Sequence, residues 1–311
     1  MAASSLLSGV VLALGLAACA TTTEPVTGAA GASSQTDAVP SESVTGTITA
    51  IAPAEPNAPD AAPPTTCATR TPGFFAGKTI IAAGETRTYD LFVPDELAAT
   101  LPIVFVFHAD DGQSLRTALG LEAVTGTKAI VVYPYGNDNS WNLSKPAGND
   151  DYAFVDALKS AIVASQCADA TRTFAFGFSN GGYFVNQMAC YRGTAAFRAV
   201  AVNSAGLYAP AGAPEQYDED GDLLCPAPPP AALVIHGTTD TVVDYQDEGV
   251  YTRNSWMHAD ACGTSAIAST PSPCVTYACG PNPVAFCGIT GMGHQVWSNA
   301  AQATWSFFSR L

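Results

Sequence analysis

The chain has 311 residues, 48% of them hydrophobic and 13% charged, with a formal net charge of −15. That length supports one large α/β domain with a sizeable core. The acidic balance, with no cluster of Lys or Arg, argues against nucleic acid as a partner and against a polybasic membrane contact.

Leu6 to Leu16 is an apolar run too short to span a bilayer, and it ends in Leu16-Ala17-Ala18-Cys19. A short apolar stretch closed by small residues is the pattern of an export leader, so residues 1–18 are expected to be a signal peptide, although residues 1–10 hold no Lys or Arg. Leu-Ala-Ala-Cys resembles a bacterial lipobox, which implies that Cys19 is lipidated and anchors the product to the cell envelope. The alternative is an ordinary cleaved leader with a nearby cysteine and a secreted product. Residues 19–66 are rich in Ala, Thr, Pro and Ser, with Glu24, Asp37, Glu42, Glu55 and Asp60 as their only charges. Such a segment has too little apolar bulk to offset its ordering entropy and is expected to be a disordered tether. The folded domain is expected over 67–311.

Nine cysteines are an awkward count for an exported chain, and assigning Cys19 to lipid leaves eight: Cys67, Cys167, Cys190, Cys225, Cys262, Cys274, Cys279 and Cys287. These are expected to pair as disulfides in an oxidising compartment, with the connectivity open. Four residues separate Cys274 from Cys279 and no second close pair accompanies them, so no metal site is expected.

Within the domain, Arg87–Val93 alternates polar and apolar as a half-exposed strand does. Pro102–Phe107 and Ala129–Tyr133 are continuous apolar runs, the mark of strands covered on both faces. Asp150 or Asp151 is expected to cap a helix on which Phe154, Val155, Leu158 and Ile162 fall at helical spacing. The pattern then predicts strand Arg172–Gly177, helix Asn180–Tyr191, strands Arg198–Val202 and Ala231–Ile235, a helix near 250–261, strand Val284–Ile289 and a last helix from about Val296. Alternating strands and helices predict an α/β fold, a mostly parallel, doubly wound sheet with helices on both faces.

Gly177-Phe178-Ser179-Asn180-Gly181, followed by Gly182, sits between a predicted strand and a predicted helix. A G-x-S-x-G turn there lifts the serine hydroxyl above the sheet, and the helix N-terminus offers free N–H groups to a developing oxyanion. A serine nucleophile needs a base, and four histidines are available. His258 falls inside a helix, and His108 and His236 each close an apolar strand, all ordinary structural positions. His294, in the loop Gly291-Met-Gly-His294 after the last strand, is the expected base. Asp240 and Asp244 are the candidate acids. Asp240 lies in the turn directly after strand Ala231–Ile235, from which it can orient a loop histidine. The order Ser179, Asp240, His294 is that of α/β-hydrolases. The backbone N–H of Asn180 is the expected first oxyanion donor. The second is expected from the loop after Phe107, at Asp110, with Ala109 as competitor.

The segments Cys167–Gly182, Met188-Ala-Cys190, His236-Gly-Thr-Thr-Asp240-Thr-Val-Val243 and Gly291-Met-Gly-His294 together resemble the feruloyl esterase and polyhydroxybutyrate depolymerase-like group of secreted carboxylesterases, over roughly residues 70–310. The resemblance implies an α/β-hydrolase fold, Ser179, Asp240 and His294 as catalytic triad, and no metal or organic cofactor. It also implies a small-molecule or polymeric ester as substrate: a feruloyl or acetyl ester of plant polysaccharide, or a hydroxyalkanoate oligomer. Tyr133–Gly136, Trp141 and Asp150-Asp151 match family positions. Trp141 and His108 are candidates for contact with substrate, a core role being the alternative for the tryptophan. Two departures stand out: Ala109 where the family has glycine after its histidine, and Trp297 one place late with no proline following. A monomer is expected. Two other readings are a surface lipoprotein that keeps the fold to bind glycan or protein without catalysis, and a peptidase of the same fold, for which no appended lid or propeller domain to select peptides is expected.

Overall fold

A computed structural model describes residues 70–311 apart from 97–99, 145, 210–216 and 220. The expected leader at 1–18, the lipidation site Cys19, the tether at 19–66 and Cys67 lie outside the described residues.

Leu101–Phe107 (β3) is apolar and buried at every position. In a strand successive side chains point to opposite faces, and β3 accordingly feeds two cores. Ile103, Phe105 and Phe107 enter one, together with Tyr152, Phe154 and Leu158 of Asp150–Gln166 (α3), Phe184 and Met188 of Asn180–Arg192 (α4) and Trp256 of Tyr251–Ala259 (α5). Val104 and Val106 enter the other, with Leu119 of Arg116–Leu119 (α1), Leu121 of Leu121–Thr125 (α2) and Phe307 and Phe308 of Ala300–Phe308 (α6).

Among the described residues the sheet has ten strands. Besides β3 they are Gly73–Ala82 (β1), Glu85–Val93 (β2), Ile130–Pro134 (β4), Ala168–Phe178 (β5), Ala199–Asn203 (β6), Ala231–Gly237 (β7), Ala266–Ala268 (β8), Val275–Tyr277 (β9) and Val284–Ile289 (β10). Their order is β1-β2-β4-β3-β5-β6-β7-β10-β9-β8. The block from β4 to β10 is parallel, and the flanking pairs on either side are antiparallel. The expected mostly parallel sheet with helices on both faces is therefore present, and it is the α/β-hydrolase fold.

The boundaries differ in places, each for a physical reason. Strand β1 was not expected, because it is an edge strand with most of its surface in solvent and a bulge between Phe75 and Lys78. Its turn to β2 places Ala83 and Gly84 at positive φ, a two-residue hairpin without the usual Asn-Gly signal. The cap of α3 is Asn149, whose side chain accepts from the N–H groups of Asp151 and Tyr152; Asp150 and Asp151 lie in the first turn instead. The Asp151 carboxylate is used elsewhere, in a buried ion pair with Arg87 at 2.5 Å, and it also accepts the Asn142 N–H at 2.7 Å. The small hairpin β8–β9 was also missed; its residues are too few and too exposed to carry a pattern.

Among the described residues the disulfides Cys190–Cys225, Cys262–Cys279 and Cys274–Cys287 are formed. Cys167 is disulfide-bonded as well. The pairs among the last four cysteines tie α5, the β8–β9 hairpin and β10 together.

Candidate active site

Strand β5 ends at Phe178 and α4 begins at Asn180, so Ser179 alone makes the turn. Its backbone is at φ 52°, ψ −123°, a conformation side-chain-bearing residues rarely take. The neighbouring glycines are required by contact. A Cβ at Gly177 would meet the Gly181 carbonyl oxygen at 2.3 Å, one at Gly181 would meet the His108 oxygen at 2.3 Å, and one at Gly182 would meet the Ala205 Cβ at 2.5 Å. The Ser179 N–H donates to Asn203 O at 3.1 Å, which fixes the turn to the end of β6.

Ser179 Oγ lies 3.0 Å from His294 Nε2, and His294 Nδ1 lies 2.9 Å from Asp240 Oδ2. A carboxylate can only accept, so Nδ1 carries the proton toward Asp240 and Nε2 is left as the acceptor for the serine hydroxyl. The other oxygen of Asp240 accepts the N–H groups of Val242 and Val243, both at 3.0 Å. Burial alone would push the Asp240 carboxyl up. The bonds from Val243, His294 and Val242, with the His294 charge, outweigh that and hold it below its ordinary value. Asp244, the other candidate acid, instead caps the π-helical turn Tyr245–Val250 by accepting from Gln246 N and Asp247 N.

The loop carrying His294 is pinned from two sides. Gly237 at the end of β7 has no room for a side chain, since a Cβ would meet the Met292 oxygen at 2.1 Å, and Thr239 N–H donates to that same oxygen. From β6, Asn203 Nδ2 donates to Gln295 O at 3.0 Å and Asn203 Oδ1 accepts the Trp297 N–H at 2.9 Å. Sequence reading missed Asn203. Its one signal was a polar residue ending an apolar strand.

Two of the expected substrate contacts are corrected. His108 and Trp141 are almost fully buried, and their polar groups bond within the fold. His108 Nε2 accepts the Gly136 N–H at 2.9 Å, and its Nδ1–H donates to Ala109 O. Burial lowers the His108 pKa against the raising effects of that bond and of Asp111, Asp110 and Asp151. The Trp141 indole N–H donates to His108 O at 2.9 Å, and its ring packs among Phe107, Phe184 and His108. Together they brace the loop after β3 from beneath. Trp297 too is buried in the core.

The helix cannot satisfy the N–H of Asn180, its first residue, while the Asn180 side chain accepts the Trp141 N–H at 2.8 Å. Asp110 and Asp111 both point into solvent, and Asp110 Oδ1 accepts the Ser140 hydroxyl. Their charges are thus directed outward. His236 is buried, donates Nε2–H to Val243 O at 3.0 Å, and has its pKa lowered by burial. His258 is exposed beside Asp218 and Asp222; these three bring potential ligand atoms within 4.8 Å of one another, the one such group among the described residues.

No protein-family model matches the chain. Feruloyl esterase C of Emericella nidulans is 32% identical over 243 residues, covering 71% of this chain and 83% of that protein. The chain belongs to the feruloyl esterase family of α/β-hydrolases, and it is a carboxylic-ester hydrolase. A further relative of the family, a probable feruloyl esterase C of Aspergillus niger, is 30% identical with the same coverage. Among solved structures, an acetyl xylan esterase from Aspergillus awamori superposes with a TM-score of 0.57 at 19% identity, covering 77% of this chain and all of that one. At that identity it supports the fold alone.

Proposed function

We propose that the chain is an exported serine esterase that cleaves feruloyl or acetyl esters of plant polysaccharide through a covalent acyl-enzyme. The observation that carries the mechanism is the unbroken line Ser179–His294–Asp240, with spacings of 3.0 and 2.9 Å. Ser179 Oγ attacks the ester carbonyl as its proton passes to His294 Nε2, and Asp240 stabilises the imidazolium that forms. The oxyanion is received by the Asn180 N–H and by a second N–H from the loop after β3, at Asp110, with Ala109 the competitor. The imidazolium then protonates the departing alcohol oxygen. Water, deprotonated by the same nitrogen, attacks the acyl carbonyl and releases the acid and free Ser179.

The names of the relatives support the substrate class, and hydroxyalkanoate oligomers remain the second class to assay. Export, with Cys19 as lipid anchor, is supported by the apolar leader, the Leu-Ala-Ala-Cys19 box and the disulfides. Replacement Ser179→Ala tests the mechanism. It is expected to abolish both methyl ferulate hydrolysis and fluorophosphonate labelling while leaving the melting temperature nearly unchanged. Labelling that persists would place the nucleophile elsewhere.

A further inference from the structure

Three side chains beside the serine turn take no part in the steps above. Tyr208 follows β6 and is one of the few large side chains with an apolar body left exposed, at 38%. Its ring packs on that of Tyr183, with centroids 5.2 Å apart. Tyr183 belongs to the first turn of α4, and its N–H donates to the carbonyl oxygen of Ser179 at 3.0 Å. The Tyr208 hydroxyl is within electrostatic reach of two carboxylates, Glu248 and Asp110. In the sheet β5 lies between β3 and β6. Tyr208, coming from the β6 side and stacked on Tyr183, which is hydrogen-bonded to Ser179 O, therefore lies beside the top of β5, where Ser179 stands.

Glu248 is half-buried and comes from the π-helical turn after β7. It accepts the Tyr183 hydroxyl, and its charged neighbours among the described residues are Asp247 and Asp244. The chain makes room for it: a Cβ at Gly206 would overlap a Glu248 carboxylate oxygen and come within 2.7 Å of the Tyr183 ring. Gly206 is itself fixed, since its carbonyl accepts the Asn186 amide at 2.8 Å and that amide accepts the Trp256 indole N–H. A carboxylate desolvated in this way, bonded to one phenol and faced by no cation among these neighbours, has acceptor capacity left for another neutral donor.

We propose that Tyr208, Tyr183 and Glu248 form a hydroxyaryl subsite beside Ser179, in which the acyl ring stacks on Tyr208 and its phenolic O–H donates to Glu248. The proposal rests on the reading of Ser179 as the ester-cleaving nucleophile. It names the part of the substrate that the triad does not see. A ring bearing a hydroxyl gains a charge-assisted hydrogen bond there. A ring whose hydroxyl is methylated loses the donor and leaves the carboxylate without its partner. A ring bearing a carboxylate is repelled by Glu248, Asp247 and Asp244.

The test compares methyl 4-hydroxycinnamate, methyl 4-methoxycinnamate and p-nitrophenyl acetate on the full chain, with rates expressed per fluorophosphonate-reactive site so that misfolded protein does not count. The wild type is expected to prefer the hydroxylated over the methoxylated ester. Glu248→Gln keeps the shape over Gly206 and removes the charge, and it is expected to reduce that preference about fivefold through KM. Tyr208→Ala is expected to lower the ratio of kcat/KM for the hydroxycinnamate to that for the acetate about tenfold, with Tyr208→Phe restoring most of it. An unchanged hydroxyl preference in Glu248→Gln, or equal losses on aryl and acetyl esters in Tyr208→Ala, would overturn the subsite while leaving the esterase reading intact. A wild type that cleaves none of the three esters would overturn both.

Discussion

Asn203 holds the loop that carries His294: its amide donates to Gln295 O at 3.0 Å and accepts the Trp297 N–H at 2.9 Å, one residue and three residues beyond that histidine. The same residue's backbone carbonyl accepts the Ser179 N–H at 3.1 Å. One fully buried residue at the end of β6 thus references both Ser179 and His294 to the sheet. In the proposed mechanism small displacements of either group are costly in rate, and that reading makes Asn203 a positioning residue.

Replacement Asn203→Asp keeps the acceptor and removes the donor to Gln295, leaving a buried carboxylate facing a carbonyl. It is expected to lower kcat for p-nitrophenyl acetate by about 10–100-fold with little change in KM. Asn203→Ala is expected to lower kcat as well and to destabilise the fold by about 1–3 kcal/mol, because two backbone groups lose their partner. Steady-state kinetics alongside thermal melts check this. A variant that loses stability at unchanged kcat would reduce Asn203 to a structural role.

Asp260 gives a pH dependence. It follows α5, one of its carboxylate oxygens is buried without a hydrogen-bond partner, and burial pushes its pKa from 3.8 up to about 7 against a bond from Asn282. The folded chain therefore keeps a proton that the unfolded chain releases between those values. The stability associated with this proton is fully present below about pH 4 and is lost as pH rises through about 7. Asp260→Asn, neutral at every pH, is expected to raise the melting temperature by a few degrees at about pH 8, the gain being limited by solvent screening. At about pH 4 the gain should vanish. Equal gains at both pH values would show that the effect is not titration.

Much of this was legible in the sequence because the site is built from local turn chemistry. The strand Phe174–Phe176, the serine turn, the Asp240 turn after β7 and the His294 loop each advertise themselves through glycines and apolar runs, and the structure brings the three side chains within hydrogen-bonding distance. The supports were not legible. Asn203 and the Arg87–Asp151 pair act over long separations along the chain, and no spacing marks a polar residue that bonds to a loop 92 or 94 residues away. His108 and Trp141 were misplaced for the related reason that a polar atom near a site looks the same in sequence whether it faces substrate or bonds to a neighbouring carbonyl. Edge strand β1 failed because exposure on both faces erases the alternation on which strand prediction depends.

The lipobox gives a prediction in a bacterial host. Metabolic labelling with a fatty acid should tag the wild-type chain and leave Cys19→Ser untagged, with the variant released from the membrane fraction. An untagged wild type found free in the medium would show that the leader is of the ordinary cleaved kind.

The last four cysteines form two interleaved bridges, Cys262–Cys279 and Cys274–Cys287, with sequence separations of 17 and 13. Cys274 comes just before β9, and Cys287 lies in β10, whose last residues pair in parallel with His236 and Gly237 of β7. β10 is also the strand from which the chain turns into Gly291 and His294, and Thr238 N–H donates to Ile289 O at its end. The short segments between these cysteines bury little: β8 is exposed throughout and β9 is only half-buried. Apolar contact alone therefore holds this hairpin weakly, and the crosslinks act chiefly by restricting the unfolded chain, by about 2–4 kcal/mol each. Breaking the Cys274–Cys287 bridge releases the strand that leads to His294, so Cys274→Ser with Cys287→Ser is expected to lower both the melting temperature and kcat. Breaking Cys262–Cys279 releases only the hairpin and the end of α5, so it is expected to lower the melting temperature with a smaller effect on kcat. Thermal melts and kinetics on the two double variants, each confirmed by mass to hold its remaining disulfides, measure the difference. Equal losses of kcat in both would mean that β10 is held by its pairing with β7 alone, and that the bridge to Cys274 does not help to place the base.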